Sequence, residues 1–216
     1  LRSADRRLAA SDELAGRSAQ LCDRDVQTLS MPLDFDRLPK PSPVPDDGYV
    51  LGVGRLVPEK GFDVLLAAVG SLEESVRPQL VIVGNGPERE TLVKKASQAG
   101  VDLHLPGAVS PTELGHWYQR SYIVAVPSLR EGFGLVAAEA AAAGRAVVAS
   151  AVGGIPEVVV HGSSGLLVRP GSVEDLAAAL RSIDPQWGEN GPPRVSQLGM
   201  KAHGKIVSEM FDELIR

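Results

Sequence analysis

The segment Pro127-Ser-Leu-Arg-Glu-Gly-Phe-Gly-Leu-Val-Ala-Ala-Glu139 sets two carboxylates, Glu131 and Glu139, eight positions apart around a Gly-X-Gly turn made by Gly132 and Gly134. A carboxylate accepts hydrogen bonds from both hydroxyls of a vicinal diol. A glycine turn opening a helix brings unpaired backbone N–H groups and the positive end of the dipole close to an anion. Together these suit a ligand that is both phosphorylated and rich in hydroxyls. A plainer account makes the glycines a tight turn, Glu131 a solvated loop charge and Glu139 part of an exposed helix face. A second loop, Gly54-Arg-Leu-Val-Pro-Glu-Lys-Gly61, carries Arg55 and Lys60. Two cations beside a helix start would neutralise a diphosphate, the arginine as a planar fork and the lysine as a mobile point charge. As an isolated pair they are more simply read as solvated surface charges.

These loops need elements to hold them on one edge. Apolar runs predict strands at Tyr49–Val53, Leu80–Val83, Val101–Leu105, Tyr122–Val126, Ala146–Ala149 and Gly165–Val168. Helical patterns intervene at Gly61–Leu72, Pro87–Ala99, Pro111–Arg120, Gly134–Ala143 and Val173–Ile183. Ser110-Pro-Thr-Glu113 marks one helix start with an N-cap serine, a first-turn proline and a capping-box glutamate. The alternation from about Gly48 onward predicts an α/β fold, a doubly wound parallel sheet of about six strands. Ligands of such sheets bind outside the carboxyl ends of the strands, where Gly84-Asn-Gly-Pro-Glu88 and Ser150-Ala-Val-Gly-Gly-Ile-Pro-Glu157 add further glycine-rich loops. None is a P-loop or a dinucleotide fingerprint.

Four segments emerge. Residues 1–38 hold a helix-like run at Ser11–Leu21 and a short strand at Val26–Leu29, residues 39–47 a proline-rich linker, 48–185 the alternating domain, and 186–216 a Gly/Pro-rich break followed by a helical stretch at Val195–Ile215.

Composition excludes several classes. The chain has 216 residues, 44% of them hydrophobic, with a formal net charge of −5 and a pI near 5.4. That balance gives no electrostatic footprint for nucleic acid. Cys22 alone excludes an intrachain disulfide and a cysteine zinc cluster, and fits a reducing compartment. No signal peptide is visible. The most apolar run, Leu135 to Val152, is interrupted by Glu139 and Arg145, so no transmembrane segment is expected.

The succession Gly54-Arg-Leu with Lys60-Gly61, Gly84-Asn-Gly-Pro, Pro127-Ser…Glu131-Gly-Phe-Gly…Glu139, Gly153-Gly-Ile-Pro-Glu157 and Gly162…Gly165 resembles the C-terminal half of a retaining glycosyltransferase of the family 4, GT-B type. The resemblance covers about residues 48 to 185 in order and spacing. It implies a domain binding a nucleotide-sugar donor, such as a UDP- or GDP-sugar, with no cofactor and no metal. Arg55 and Lys60 would clamp the diphosphate and Glu131 would bind the transferred sugar; these three are the catalytic candidates. Gly132 and the backbone of Phe133, Gly134 and Leu135 would meet sugar and phosphate oxygens, and Glu139 the ribose hydroxyls. Gly54 and Gly84 belong to the same donor-binding set, and the base would lie by the loop Pro106–Ser110, at Val109.

The resemblance further implies that Ala4-Asp-Arg…Ser11 and Ser30–Leu38 are the last elements of an acceptor-binding N-terminal domain. Ser30 and Pro32 depart from the usual Pro-Met-Gly-Val-Asp pattern there. The C-terminal helix would brace that missing domain. Partners would be the donor, an undetermined acceptor and the missing domain of the same enzyme. Location would be cytoplasmic, with peripheral membrane association left open for the full-length enzyme, and transfer by this portion alone would be slight or absent. Two alternatives remain: another GT-B nucleotide-sugar enzyme, such as an epimerase or a glycogen-type synthase, or a non-catalytic nucleotide-binding module.

Overall fold

The computed structural model of the protein describes residues 6–215. Ala4 and Asp5, which open the resemblance at the N-terminus, and Arg216, which ends the predicted C-terminal segment, lie outside them. In chain order the elements are β1 (Leu8–Ala9), α1 (Asp12–Cys22), β2 (Gln27–Thr28), β3 (Tyr49–Val53), α2 (Phe62–Gly70), β4 (Leu80–Val83), α3 (Arg89–Ala99), β5 (Leu103–Gly107), α4 (Pro111–Arg120), β6 (Ser121–Val126), α5 (Leu135–Ala142), β7 (Ala146–Ser150), α6 (Ile155–Val158), β8 (Gly165–Val168), α7 (Val173–Ser182), α8 (Gly191–Val195) and α9 (Met200–Ile215).

The last six strands form one sheet in the order β5-β4-β3-β6-β7-β8, every pair parallel. Successive strands are added outward in opposite senses on either side of the β3–β6 pair, the topological switch point at which doubly wound sheets bind ligands. Because alternate side chains point to opposite faces, each strand feeds two cores. Val50, Leu80, Ile82, Ile123, Ala125 and Val148 pack on one face, with Leu65 and Leu66 of α2 and Leu176 of α7. Leu51, Val81, Val83, Val124, Val126 and Val147 face the other, against the alanines of α5. Small side chains there let α5 approach closely: a Cβ on Gly191 of α8 would stand 2.6 Å from the Ala141 carbonyl oxygen.

Several predicted boundaries shift by a few residues; the helix expected from Pro87, for one, starts at Arg89. The strand expected at Val101–Leu105 runs from Leu103, because Gly100 at φ +63° and the Val101 N–H, bonded to the Ala96 carbonyl, still belong to the cap of α3. The helix expected from Val195 starts at Met200. Before it, α8 ends at Val195 and a short 3₁₀ turn covers Ser196–Leu198.

The N-terminal unit is a small βαβ unit of its own with its two strands parallel, Leu8 opposite Gln27 and Ala9 opposite Thr28. It is anchored to the main sheet: Ser11 Oγ, the N-cap of α1, donates to the Gly132 carbonyl at 2.9 Å, and the Asp12 N–H to Glu157 at 2.8 Å. Leu33 bridges to Gly199 just before α9, and Arg6 pairs with Glu213 within it. The proline-rich stretch is pinned as well. Arg145, 0% exposed at the start of β7, donates to the carbonyls of Ser42 at 2.9 Å and Pro43 at 3.3 Å. Among the described residues, no helix is long and apolar enough to cross a membrane.

Candidate functional site

Loops after β3 and β6, on either side of the switch point, build the first cleft. It encloses about 810 Å³ and is lined by Arg55, Glu59 and Lys60 after β3, by Leu129 to Gly132 after β6, and by Ala151 to Gly153 after β7. Glu13, Leu14 and Arg17 of α1 form its other wall. Lys60 Nζ lies 2.6 Å from Glu131 Oε2, with side chains 23% and 17% exposed, so this is a partly sheltered pair. Glu131 is fixed further by its Oε1, which accepts from the Gly132 N–H at 3.1 Å, and by Ser128 Oγ at 3.4 Å. Leu129 N–H donates to the Glu59 carbonyl at 2.8 Å, which ties the cation-bearing loop to the carboxylate-bearing one. Arg55 is exposed and its guanidinium makes no hydrogen bond or ion pair among the described residues.

The Gly-X-Gly turn leads from this cleft into α5. Gly134 sits at φ +94° as its N-cap, with no side chain capping the helix, and a Cβ there would come within 2.7 Å of Ile155. Only glycine enters the helix this way without strain. The first N–H groups of α5 have no intrahelical acceptor, so the turn presents donors and the dipole's positive end to whatever enters. Phe133 is turned into the core at 4% exposure, leaving its backbone as the part available to a ligand.

Leu135 and Glu139 face a second cleft of about 340 Å³, shared with Val109, Leu114, Tyr118 and the segment Pro32–Asp34 with Arg37–Pro39. It is more apolar than the first. Glu139 accepts a hydrogen bond from the Tyr118 hydroxyl at 2.8 Å. Burial raises the Glu139 pKa above its ordinary 4.5, and the Tyr118 bond opposes that rise. The Tyr118 phenol is pushed well above its ordinary 10.0 by burial first and then by the Glu139 charge. Glu139 is therefore half-buried and directed inward, which corrects the account of it as part of an exposed helix face.

Of the residues singled out from sequence, Arg55, Lys60, Glu131 and Gly132 meet in the first cleft, and Val109, Leu135 and Glu139 in the second. Gly134 stands between them. Gly54 and Gly84 line neither; they let two loops cross, since a Cβ on Gly84, at φ +147°, would lie 1.8 Å from the Gly54 carbonyl oxygen. His104 packs against Trp117 and His161 Nδ1 accepts from the Leu167 N–H, as befits packing and surface histidines. Sequence reasoning missed Tyr118 and passed over Arg145. Each left a signal: Tyr118 falls on the apolar face of a well-capped helix, and an arginine inside an apolar run requires acceptors wherever it is buried.

The arrangement has counterparts. The chain matches the family described as Glycosyl transferases group 1 over residues 34–186. D-inositol 3-phosphate glycosyltransferase of Nocardioides sp. is 43% identical over 159 residues, covering 65% of this chain and 35% of that protein. Sucrose-phosphate synthase of Thermosynechococcus elongatus superposes with a TM-score of 0.89 at 29% identity, covering 100% of this chain and 59% of that one. The C-terminal domain of the glycosyl transferase group 1 protein LpcC of Francisella tularensis superposes with a TM-score of 0.66 at 28% identity, covering 76% of this chain and 97% of that domain. The chain thus spans about a third of the Nocardioides protein's length and three fifths of the synthase's. With a GT-B-type α/β sheet and a family match over most of its length, the chain belongs to the glycosyl transferases group 1 family.

Proposed function

We propose that this chain is the donor-binding, C-terminal half of a retaining, metal-independent glycosyltransferase of family 4 type, acting on a nucleotide diphosphate sugar such as a UDP- or GDP-sugar. The observation that carries this reading is the convergence of Arg55, Lys60 and Glu131 in one cleft beside the uncapped start of α5. Lys60 has three donors and Glu131 several acceptor sites. The lysine can keep one bond to Glu131 while turning the others to a phosphate, and Glu131 can take sugar hydroxyls on its remaining lone pairs. The Gly132–Leu135 backbone then adds N–H donors where the diphosphate and sugar meet. Val109 and Glu139, in the neighbouring cleft, would take the base and the ribose.

In a front-face displacement the acceptor oxygen bonds to the anomeric carbon on the face from which the nucleotide diphosphate departs, and the acceptor proton leaves with the phosphate. Negative charge grows on the leaving group. Arg55, Lys60 and the helix start would stabilise it, and each such contact is worth roughly 3 kcal/mol in the transition state. Among the described residues, no cluster of three or more His, Cys, Asp or Glu is arranged to hold a metal. The likeness to a solved C-terminal domain supports assigning this chain to that half of the enzyme. The described part of residues 1–38 would then close the preceding acceptor domain, and transfer would require that domain.

Thermal-shift and calorimetric titration with UDP, GDP and ADP tests the proposal, since a ligand of the folded state raises the unfolding midpoint by mass action. One nucleotide should stabilise the wild type, and Arg55→Ala and Glu139→Ala should respond far less. Equal responses from both variants would remove the assigned roles.

A further inference from the structure

Tyr118 brings a buried hydroxyl to the second cleft, and the donor reading gives it no task. The residue is 0% exposed on α4, and its hydroxyl points across to α5, where it donates to Glu139 Oε2 at 2.8 Å. Its main chain is held equally firmly. The Tyr118 carbonyl accepts from Arg145 Nε at 2.9 Å and from Ser121 Oγ at 2.8 Å. Arg145 spends its other N–H groups on Ser42, Pro43 and the carbonyl of Gln119, the last at 2.9 Å. The ring is thus clamped at both ends.

Glu139 is held on one side only. Its Oε1 has no hydrogen-bond partner among the described residues, and the side chain lines the cleft with Val109, Leu114 and Leu135. A glutamate on a helix has three side-chain torsions, and a free one would sample several directions. The phenol removes that freedom while leaving one oxygen unoccupied.

We propose that Tyr118 is the positioning residue of the nucleoside site: its hydroxyl occupies one oxygen of Glu139 and holds the carboxylate so that the other meets the vicinal diol of a ribonucleoside. The inference rests on Glu139 meeting ribose, and it adds selectivity to that contact. A site built to hydrogen-bond a hydroxyl rejects the analogue that lacks it, because a desolvated polar group is then left unpaired. That rejection depends on the carboxylate staying in place. A tyrosine that merely fills space would affect stability and leave selectivity alone.

The test is calorimetric titration of the whole chain with UDP, GDP and ADP, then with the tightest of them against its 2′,3′-dideoxy analogue, for wild type, Tyr118→Phe and Glu139→Gln. Wild type should prefer the ribonucleotide by about 10- to 100-fold, the range expected for hydrogen bonds to a charged group. Tyr118→Phe should lower that preference to about 3-fold or less with the dideoxy affinity unchanged, and Glu139→Gln should abolish most of it. Full preference in Tyr118→Phe alongside its loss in Glu139→Gln would overturn the role of Tyr118 and leave the ribose contact standing. No preference in wild type, or no binding of any of the three nucleotides, would overturn the ribose reading and the inference with it. If Tyr118→Phe does not fold, carbon-13 tyrosine NMR of the wild type decides. The Tyr118 Cζ resonance should move with the ribonucleotide and hold still with the dideoxy analogue, and equal movement with both contradicts the proposal.

Discussion

The two clefts are built in opposite ways. In the first, the chemistry sits on side chains that reach water, Arg55 among them, and backbone crossings hold the loops in place. In the second, one carboxylate lies against a fully buried tyrosine whose carbonyl is held by a fully buried arginine. On the proposed function, charge that is to meet a phosphate can remain solvated until the ligand arrives, so it strains the empty protein little. A carboxylate that must select hydroxyls has to be partly dry and fixed, which entangles binding with stability. The first cleft should therefore tolerate substitution in folding and fail in binding, and the second should fail in both.

The largest effect should come from the far end of the buried chain. Arg145→Ala removes the guanidinium donors of the Gln119, Ser42 and Pro43 carbonyls and one donor of the Tyr118 carbonyl, which keeps its bond from Ser121 Oγ. A loss of about 3 kcal/mol or more is expected in denaturant unfolding, because each unpaired buried acceptor costs about 1–3 kcal/mol. A loss below about 1 kcal/mol would mean that water replaces the guanidinium freely. At the turn between the clefts, Gly134→Ala should cost about 1–3 kcal/mol through positive φ and the approach to Ile155, and it should weaken nucleotide binding as the α5 start shifts. Chemical denaturation and titration of the same sample measure both.

In the first cleft, Arg55→Ala and Lys60→Ala should each weaken nucleoside diphosphate binding by about 10- to 100-fold with stability changed by less than about 1 kcal/mol. If stability fell as far as affinity, the contrast between the clefts would collapse. The pH dependence sharpens the contrast through its sign. With its pKa raised in the folded chain, Glu139 binds its proton more tightly folded than unfolded, so its contribution to stability improves as pH falls through the raised value towards 4.5. Ribose hydroxyls need the ionised carboxylate as acceptor, so nucleotide affinity should decline over that same window. Glu139→Gln should flatten both trends in parallel titrations. Far from either cleft, Lys95→Ala breaks a 3.3 Å pair with Asp63 whose side chains are 45% and 42% exposed, and should change stability by no more than about 0.5 kcal/mol.

Local pattern made most of the sheet legible. Tyr49–Val53, Leu80–Val83 and Gly165–Val168 stand where apolar runs and flanking glycines predict them, and the Ser110–Glu113 capping box starts α4 as expected. Loops at strand ends were legible for the same reason, which is why Arg55, Lys60 and Glu131 could be named and do share a cleft. Partnerships formed across long sequence distance were not. Nothing near Ser42 announces that Arg145 will bind it, and nothing near Leu33 announces Gly199. The direction of Glu139 is likewise set by Tyr118 on another helix, and helical periodicity alone left it open.

The most direct test of the central claim is a crystal structure of the chain with the nucleoside diphosphate that binds it most tightly. The diphosphate should lie between Arg55, Lys60 and the Gly132–Leu135 backbone, with the ribose hydroxyls on Glu139 and the base beside Val109. A diphosphate bound elsewhere, or a nucleoside whose ribose stands away from Glu139, would contradict it.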